Sequence, residues 1–149
     1  MNPGVDELII VGVWEYITLP GFIDKKFKAK CDTGADYSSI NAYEIKITEH
    51  KGNKFVNFKL EESGQEYMLL IDSIREIKSS NGESERRPVV YIPVRIANRI
   101  IGVECTLTNR ESMKYRMLLG RRALENRFMV DPSRSNLHQN TKRKLQGRI

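Results

Sequence analysis

Between Glu7 and Thr108 the apolar residues come in short runs rich in β-branched and aromatic side chains, and turn-forming residues cut one run from the next. This pattern excludes a helical bundle and most α/β layouts. Successive side chains of a strand point to opposite faces, so alternating apolar residues line one face of a sheet. Lys25 to Cys31 has that form, with Phe27, Ala29 and Cys31 on one face and lysines on the other. Residues 7–17 (ELIIVGVWEYI) read as one long strand, 53–60 as a less regular one, and 66–78, 86–97 and 99–108 as three more. Asn81-Gly82 predicts a hairpin, because both central positions of a type I′ turn require positive φ. Ala97-Asn98 marks a second hairpin-like junction. Only residues 120–128 (GRRALENRF) read as helix, and Pro132 then ends regular structure. Many short strands, tight turns and one late short helix predict an all-β fold, a small barrel or sandwich.

The 149 residues suffice for one domain with a core of its own. No apolar run approaches the roughly 18–20 residues that span a bilayer, so no membrane partner is expected. The N-terminus has no basic n-region, and Gly12 and Glu15 interrupt its apolar stretch. It does not read as a secretory signal, which predicts a cytoplasmic protein. Cys31, Cys105, His50 and His138 are each isolated, with no CxxC, HxxxH or HExxH spacing. No GxxxxGK[ST] loop is present to hold a nucleotide. Neither metal nor cofactor is therefore expected. Ser38-Ser39 and Ser79-Ser80 have no histidine at a recognisable spacing and read as turn or strand-edge residues.

The net charge is +6, and after Asp131 the chain carries Arg134, Lys142, Arg143, Lys144 and Arg148 but no acid. That end supplies five of the six excess charges. It reads as a solvated basic tail over 133–149, following a folded domain over 1–132. A nucleic-acid partner is not expected from the tail alone, since it holds no aromatic to stack on bases.

The chemistry concentrates in Asp32-Thr33-Gly34, placed where the Lys25–Cys31 strand ends. A carboxylate there can act as general base on a water. Thr33 can bond backbone groups or its counterpart in a second copy. Gly34 lets backbone or ligand approach the carboxylate where a Cβ would collide. The tripeptide is weak evidence alone, but Leu118-Leu119-Gly120-Arg121 stands near the C-terminus and runs into the one helix.

The pairing of an early Asp-Thr-Gly with a late apolar-apolar-Gly strand resembles retropepsin-like aspartic peptidases. The order of parts matches as well: aspartate loop, hairpin at 77–89, late glycine strand, helix. Nearly the whole chain also resembles a bacterial family that carries the label ATP-dependent zinc protease and often neighbours enzymes that ligate amino acids to ribosomal protein tails. That family's usual motif is Asp-Thr-Gly-Ala-Arg; here Asp36 replaces the arginine, as in the retroviral pattern. The resemblance implies a retropepsin-like closed barrel with one short C-terminal helix. It implies catalysis by Asp32, Thr33 and Gly34, and a flap around Asn81 and Gly82. Leu118, Leu119, Gly120 and Arg121 would support the site, and Asp36 would pair with Arg121. One chain offers one aspartate, so a working site requires a homodimer acting on a peptide or protein substrate. The competing reading is an inactive peptide-binding or scaffold protein with the same barrel. A nucleic-acid or ribosome-associated module is a weaker third.

Overall fold

The computed structural model describes residues 7–78, 81–109 and 114–138. Its strands are β1 (Ile9–Val11), β2 (Trp14–Leu19), β3 (Ile23–Cys31), β4 (Ser38–Asn41), β5 (Tyr43–His50), β6 (Asn53–Lys59), β7 (Glu66–Leu70), β8 (Ser73–Lys78), β9 (Ser84–Ile96), β10 (Arg99–Thr108), β11 (Met117–Leu119) and β12 (Phe128–Val130). One helix, α1 (Arg121–Leu124), precedes β12. The fold is all-β, as the sequence predicts.

Seven strands form one sheet in the order β10-β4-β11-β3-β2-β9-β8, and β9 also pairs with β10. The sheet therefore closes on itself through β9–β10, leaving β8 attached outside the ring. Ile17, Leu19, Ile40, Ile92, Ile96, Leu107, Met117 and Leu119 fill the interior. A second sheet, β5-β6-β7, adds Val56 and Phe58 to the same core. It is fastened to the β2–β3 turn where the Tyr67 hydroxyl donates to the Phe22 carbonyl at 2.9 Å. A third sheet holds only β1 and β12, paired in parallel with Ile10 beside Met129. Among the described residues no helix is long and apolar enough to cross a membrane.

Three expectations change. The predicted first strand is two, because the chain bends at Gly12-Val13 and β1 joins a different sheet from β2. Gly12 permits the bend's neighbour to come close: a Cβ there would lie 2.5 Å from the Arg134 carbonyl oxygen. Residues 66–78 likewise form two strands, β7 and β8, in different sheets. The two-residue hairpin occurs at Ala97-Asn98, with φ of 51° and 64° between the paired residues Ile96 and Arg99. Asn81-Gly82 instead lies in a longer connection, since the last β8–β9 pair is Lys78 with Ser84. Ser79 and Ser80 lie outside the described residues.

The expected tail also divides. Residues 139–149 lie outside the described residues, whereas 133–138 are bound to the barrel. Val13 N–H donates to the Arg134 carbonyl at 2.7 Å, and Asn136 N–H to the Trp14 carbonyl at 2.9 Å. Glu15, fully buried, accepts from the backbone N–H groups of Gly12 at 2.8 Å, Leu137 at 3.0 Å and His138 at 3.0 Å. A buried carboxylate surrounded by amide donors is a satisfied group, and its removal orphans every donor at once. Glu15→Ala is expected to lower stability by about 3 kcal/mol or more, at about 1 kcal/mol or more for each of the stranded N–H groups. Denaturant unfolding of variant and wild type measures this, and an unchanged midpoint would contradict it.

Candidate active site

β3 and β11 lie side by side in parallel, with Cys31 opposite Leu119. The Asp32 N–H continues this ladder by donating to the Leu119 carbonyl at 2.8 Å. The aspartate is thus fixed at its own backbone, where the strand stops. Its side chain turns back on the loop, and Oδ1 accepts the Gly34 N–H at 2.9 Å. A Cβ on Gly34 would stand 3.2 Å from that oxygen, which gives the motif glycine a local reason. Asp32 is half-buried, while Thr33 and Gly34 are exposed.

The late glycine strand holds the rest of the loop. A Cβ on Gly120 would lie 2.6 Å from the Tyr37 carbonyl oxygen and 2.7 Å from that of Asp36, closer than real contacts allow. Only glycine fits there. The Gly120 N–H donates to Ser38 Oγ at 3.0 Å. The next two amides follow suit, Arg121 N–H to the Ala35 carbonyl at 2.7 Å and Arg122 N–H to that of Asp36 at 3.1 Å. The Arg121 guanidinium reaches the Thr33 carbonyl at 3.0 Å. Asp32, Thr33, Gly34, Asp36, Leu118, Leu119, Gly120 and Arg121 are therefore brought together.

The partner of Asp36 is the next arginine. Arg122 Nε lies 3.3 Å from Asp36 Oδ1, and Arg122 also faces Glu104 at 3.5 Å. Successive helical residues project about 100° apart, so one arginine of the pair turns toward Thr33 and the other toward Asp36. The Asp36 and Arg122 side chains are 54% and 42% exposed, which places the pair among surface ion pairs.

Asn81 and Gly82 stand at the end of the β8–β9 hairpin, where Asn81 Oδ1 accepts the Glu83 N–H at 3.0 Å. The hairpin reaches the aspartate loop through Arg75 of β8, whose guanidinium lies 5.8 Å from the Tyr37 ring centre. Arg122 lies 4.5 Å from the same ring. Tyr37 thus links hairpin, loop and helix, a role that the sequence did not signal.

Ser38 was also missed. It is fully buried in a strand covered on both sides, not at a solvated edge. Its carbonyl accepts from Thr106 Oγ1 at 3.2 Å while its hydroxyl receives Gly120. Ser39 is buried beside it.

The residues do not fit the zinc of the family label. Among the described residues no three of His, Cys, Asp and Glu stand close enough to hold a metal ion. The His138 ring meets the Ile10 carbonyl at 2.7 Å. Burial, helped by the Glu15 carboxylate, pushes the Cys31 thiol up to about 12, and burial raises Cys105 further.

A barrel closed around a half-buried Asp-Thr-Gly loop, with a late Gly strand beneath it, defines the retropepsin-like class. Residues 10–141 match the RimB-like family, described as retropepsin-like aspartic endopeptidase RimB, and the chain belongs to that family. It is 41% identical to a probable alpha-L-glutamate ligase of Shewanella pealeana over 87% of this chain and 30% of that protein. A probable alpha-L-glutamate ligase of Desulfotalea psychrophila is 33% identical over 83% of this chain and 28% of its own length. The chain thus spans under a third of these curated relatives. Among solved structures, Lpg0085 of Legionella pneumophila, of unknown function, matches with a TM-score of 0.71 and 28% identity. That match covers 89% of this chain and all of the other.

The geometry ranks two substitutions. Ser38→Ala leaves the buried Gly120 N–H without its acceptor and is expected to cost about 1–3 kcal/mol. Asp36→Ala removes an exposed pair and should cost under about 1 kcal/mol. Unfolding midpoints in the reverse order would contradict this account of the loop.

Proposed function

We propose that the chain is one subunit of an aspartic endopeptidase whose site is completed by Asp32 of a second copy. The observation that carries this reading is the fixed Asp32 loop, held by Leu119 and Gly120 and leaving the carboxyl half-buried. Two carboxyl groups facing one water cannot both ionise comfortably, so the pair titrates in two separated steps. Between these steps the ionised member deprotonates the water. The protonated member donates to the scissile carbonyl, which accumulates negative charge as the water adds. The proton taken from water then passes to the amide nitrogen, the C–N bond breaks to release the amine, and a hydroxyl of the diol returns its proton to the second carboxyl as the product acid forms. No metal or nucleotide enters any step.

The β1–β12 sheet supports the second copy. A two-stranded sheet is marginal alone. Here it also exposes Ile10 and Met129 side by side, 51% and 56% accessible, next to Leu8. A second copy adding strands to this edge would cover them. The β8–β9 hairpin is the flap, and Arg75, set over Tyr37 at the loop, favours a substrate with acidic side chains. The glutamate-ligase relatives, which carry this module as part of a longer chain, point the same way. The free buried thiols of Cys31 and Cys105 suit a reducing compartment such as the cytoplasm.

A peptide ending in a run of glutamates is the first probe, with peptide-bond cleavage read by mass. Asp32→Asn keeps the side chain's shape, removes the ionisable group and is expected to abolish cleavage. Undiminished cleavage would overturn the assignment, and a wild type that binds the peptide without cutting it would favour the scaffold reading. Prior dialysis against a chelator should leave the rate unchanged; stoichiometric zinc whose removal stops turnover would replace the mechanism.

Dimerisation has its own test. Ile10→Asp with Met129→Asp should convert the dimer to monomer in sedimentation while the circular dichroism stays that of the folded barrel. A dimer that survives both charges would show that the subunits meet elsewhere.

A further inference from the structure

The β2–β3 hairpin buries one face in the barrel and leaves the other outward. β3 alternates so that Ala29 and Cys31 are buried while Lys26 and Lys28 are exposed and Lys30 half-buried. The register sets Lys30 opposite Trp14 and Lys28 opposite Tyr16. Residues opposite each other share a face, so the lysines and both rings stand together. Lys28 Nζ lies 4.3 Å from the Trp14 ring centre. Trp14 meets Tyr16 edge to face with ring centres 5.4 Å apart. Asp24 is the single acid on β3. The face continues onto β9, where Arg95 sits opposite Thr18.

The basic end of the chain leaves from the same strand. Asn136 N–H is bonded to the Trp14 carbonyl, and the described fold ends two residues later at His138. The sequence beyond His138 carries Lys142, Arg143, Lys144 and Arg148 and no acid. The tail has no aromatic of its own, whereas this face of the hairpin has Trp14 and Tyr16.

We propose that the Trp14–Tyr16–Lys28–Lys30 face binds single-stranded nucleic acid. Its lysines meet phosphates and its aromatic side chains stack on bases, the combination that serves sequence-tolerant binding of single strands. Charge complementarity alone would also suit an acidic peptide, but such a peptide has nothing to stack on Trp14 and Tyr16. A nucleic acid uses both features. This surface begins at Lys30, two residues before Asp32, but it uses none of the groups of the proposed peptidase mechanism and does not depend on that reading.

Trp14 is the only tryptophan, so its fluorescence reports stacking directly. The full chain is titrated with an oligouridylate of about ten nucleotides, within the ~4–16 nucleotide sites of single-strand binders. The expected result is quenching of Trp14, with affinity falling roughly tenfold or more between about 50 and 200 mM salt. Lys28→Gln with Lys30→Gln should flatten the salt dependence by about 1.4 in log–log slope, at ~0.7 per lost phosphate contact. Asp32→Asn should bind as the wild type does, which separates this result from that of the peptidase test. No binding at low salt would overturn the proposal. So would equal quenching by a polyglutamate peptide, which would mark an acidic-peptide surface. Binding that leaves Trp14 emission and the double variant's slope unchanged would assign the interaction to the tail and overturn it too.

Discussion

The backbone of Gly120 lies against the carbonyls of Asp36 and Tyr37, and the site depends on that close approach. The separation would place a Cβ 2.6 Å from an oxygen, so no other residue can occupy the position without moving the loop. Once the approach is made, the amides of Gly120, Arg121 and Arg122 all find acceptors between Ala35 and Ser38. With Asp32 N–H on the Leu119 carbonyl, the loop is pinned from its first residue to its last. The loop that carries the Asp32 carboxyl is thus held mainly by backbone contacts, joined by the Ser38 hydroxyl and the Arg121 guanidinium. The neighbouring ion pair of Asp36 with Arg122 is exposed and contributes little to it.

A second constraint acts at the same end of β3, on the side of β2. Glu15 draws Gly12, Leu137 and His138 onto one buried carboxylate, which ties the end of the described chain to the bend between β1 and β2. That bend is also tied to the end of β3, because Cys31 N–H donates to the Val13 carbonyl at 2.8 Å. The strap and the aspartate therefore share one hydrogen-bonded corner. The β1–β12 edge, where we place the second subunit, begins at the same bend.

The strand content was legible because alternation such as that of Phe27, Ala29 and Cys31 is a local consequence of the pleat. The pairing of Asp32-Thr33-Gly34 with Leu118-Leu119-Gly120 was legible as a resemblance, and each glycine then proved to have a steric reason. What stayed hidden depends on register and on long-range packing. Two consecutive arginines offered two partners for Asp36, and only the seating of Gly120 decides between them. Ser38 looked like a turn residue because a buried hydroxyl has no sequence signature apart from its distant acceptor and donor. Glu15 sat in an apolar run as an apparent interruption; its donors lie more than 120 residues away at Leu137 and His138. The bend at Gly12 was hidden for the same reason, since the segment that crosses it belongs to the far end of the chain.

The central claim is that two Asp32 carboxyl groups make one site. Mixing wild-type subunits with Asp32→Asn subunits, under conditions that allow exchange, tests it most directly. If each site needs an aspartate from both copies, only wild-type pairs cut, and cleavage falls as the square of the wild-type fraction. If each barrel acts alone, cleavage falls linearly with that fraction, and if one aspartate per pair suffices it falls more slowly still; either result means that the account of a shared water is wrong.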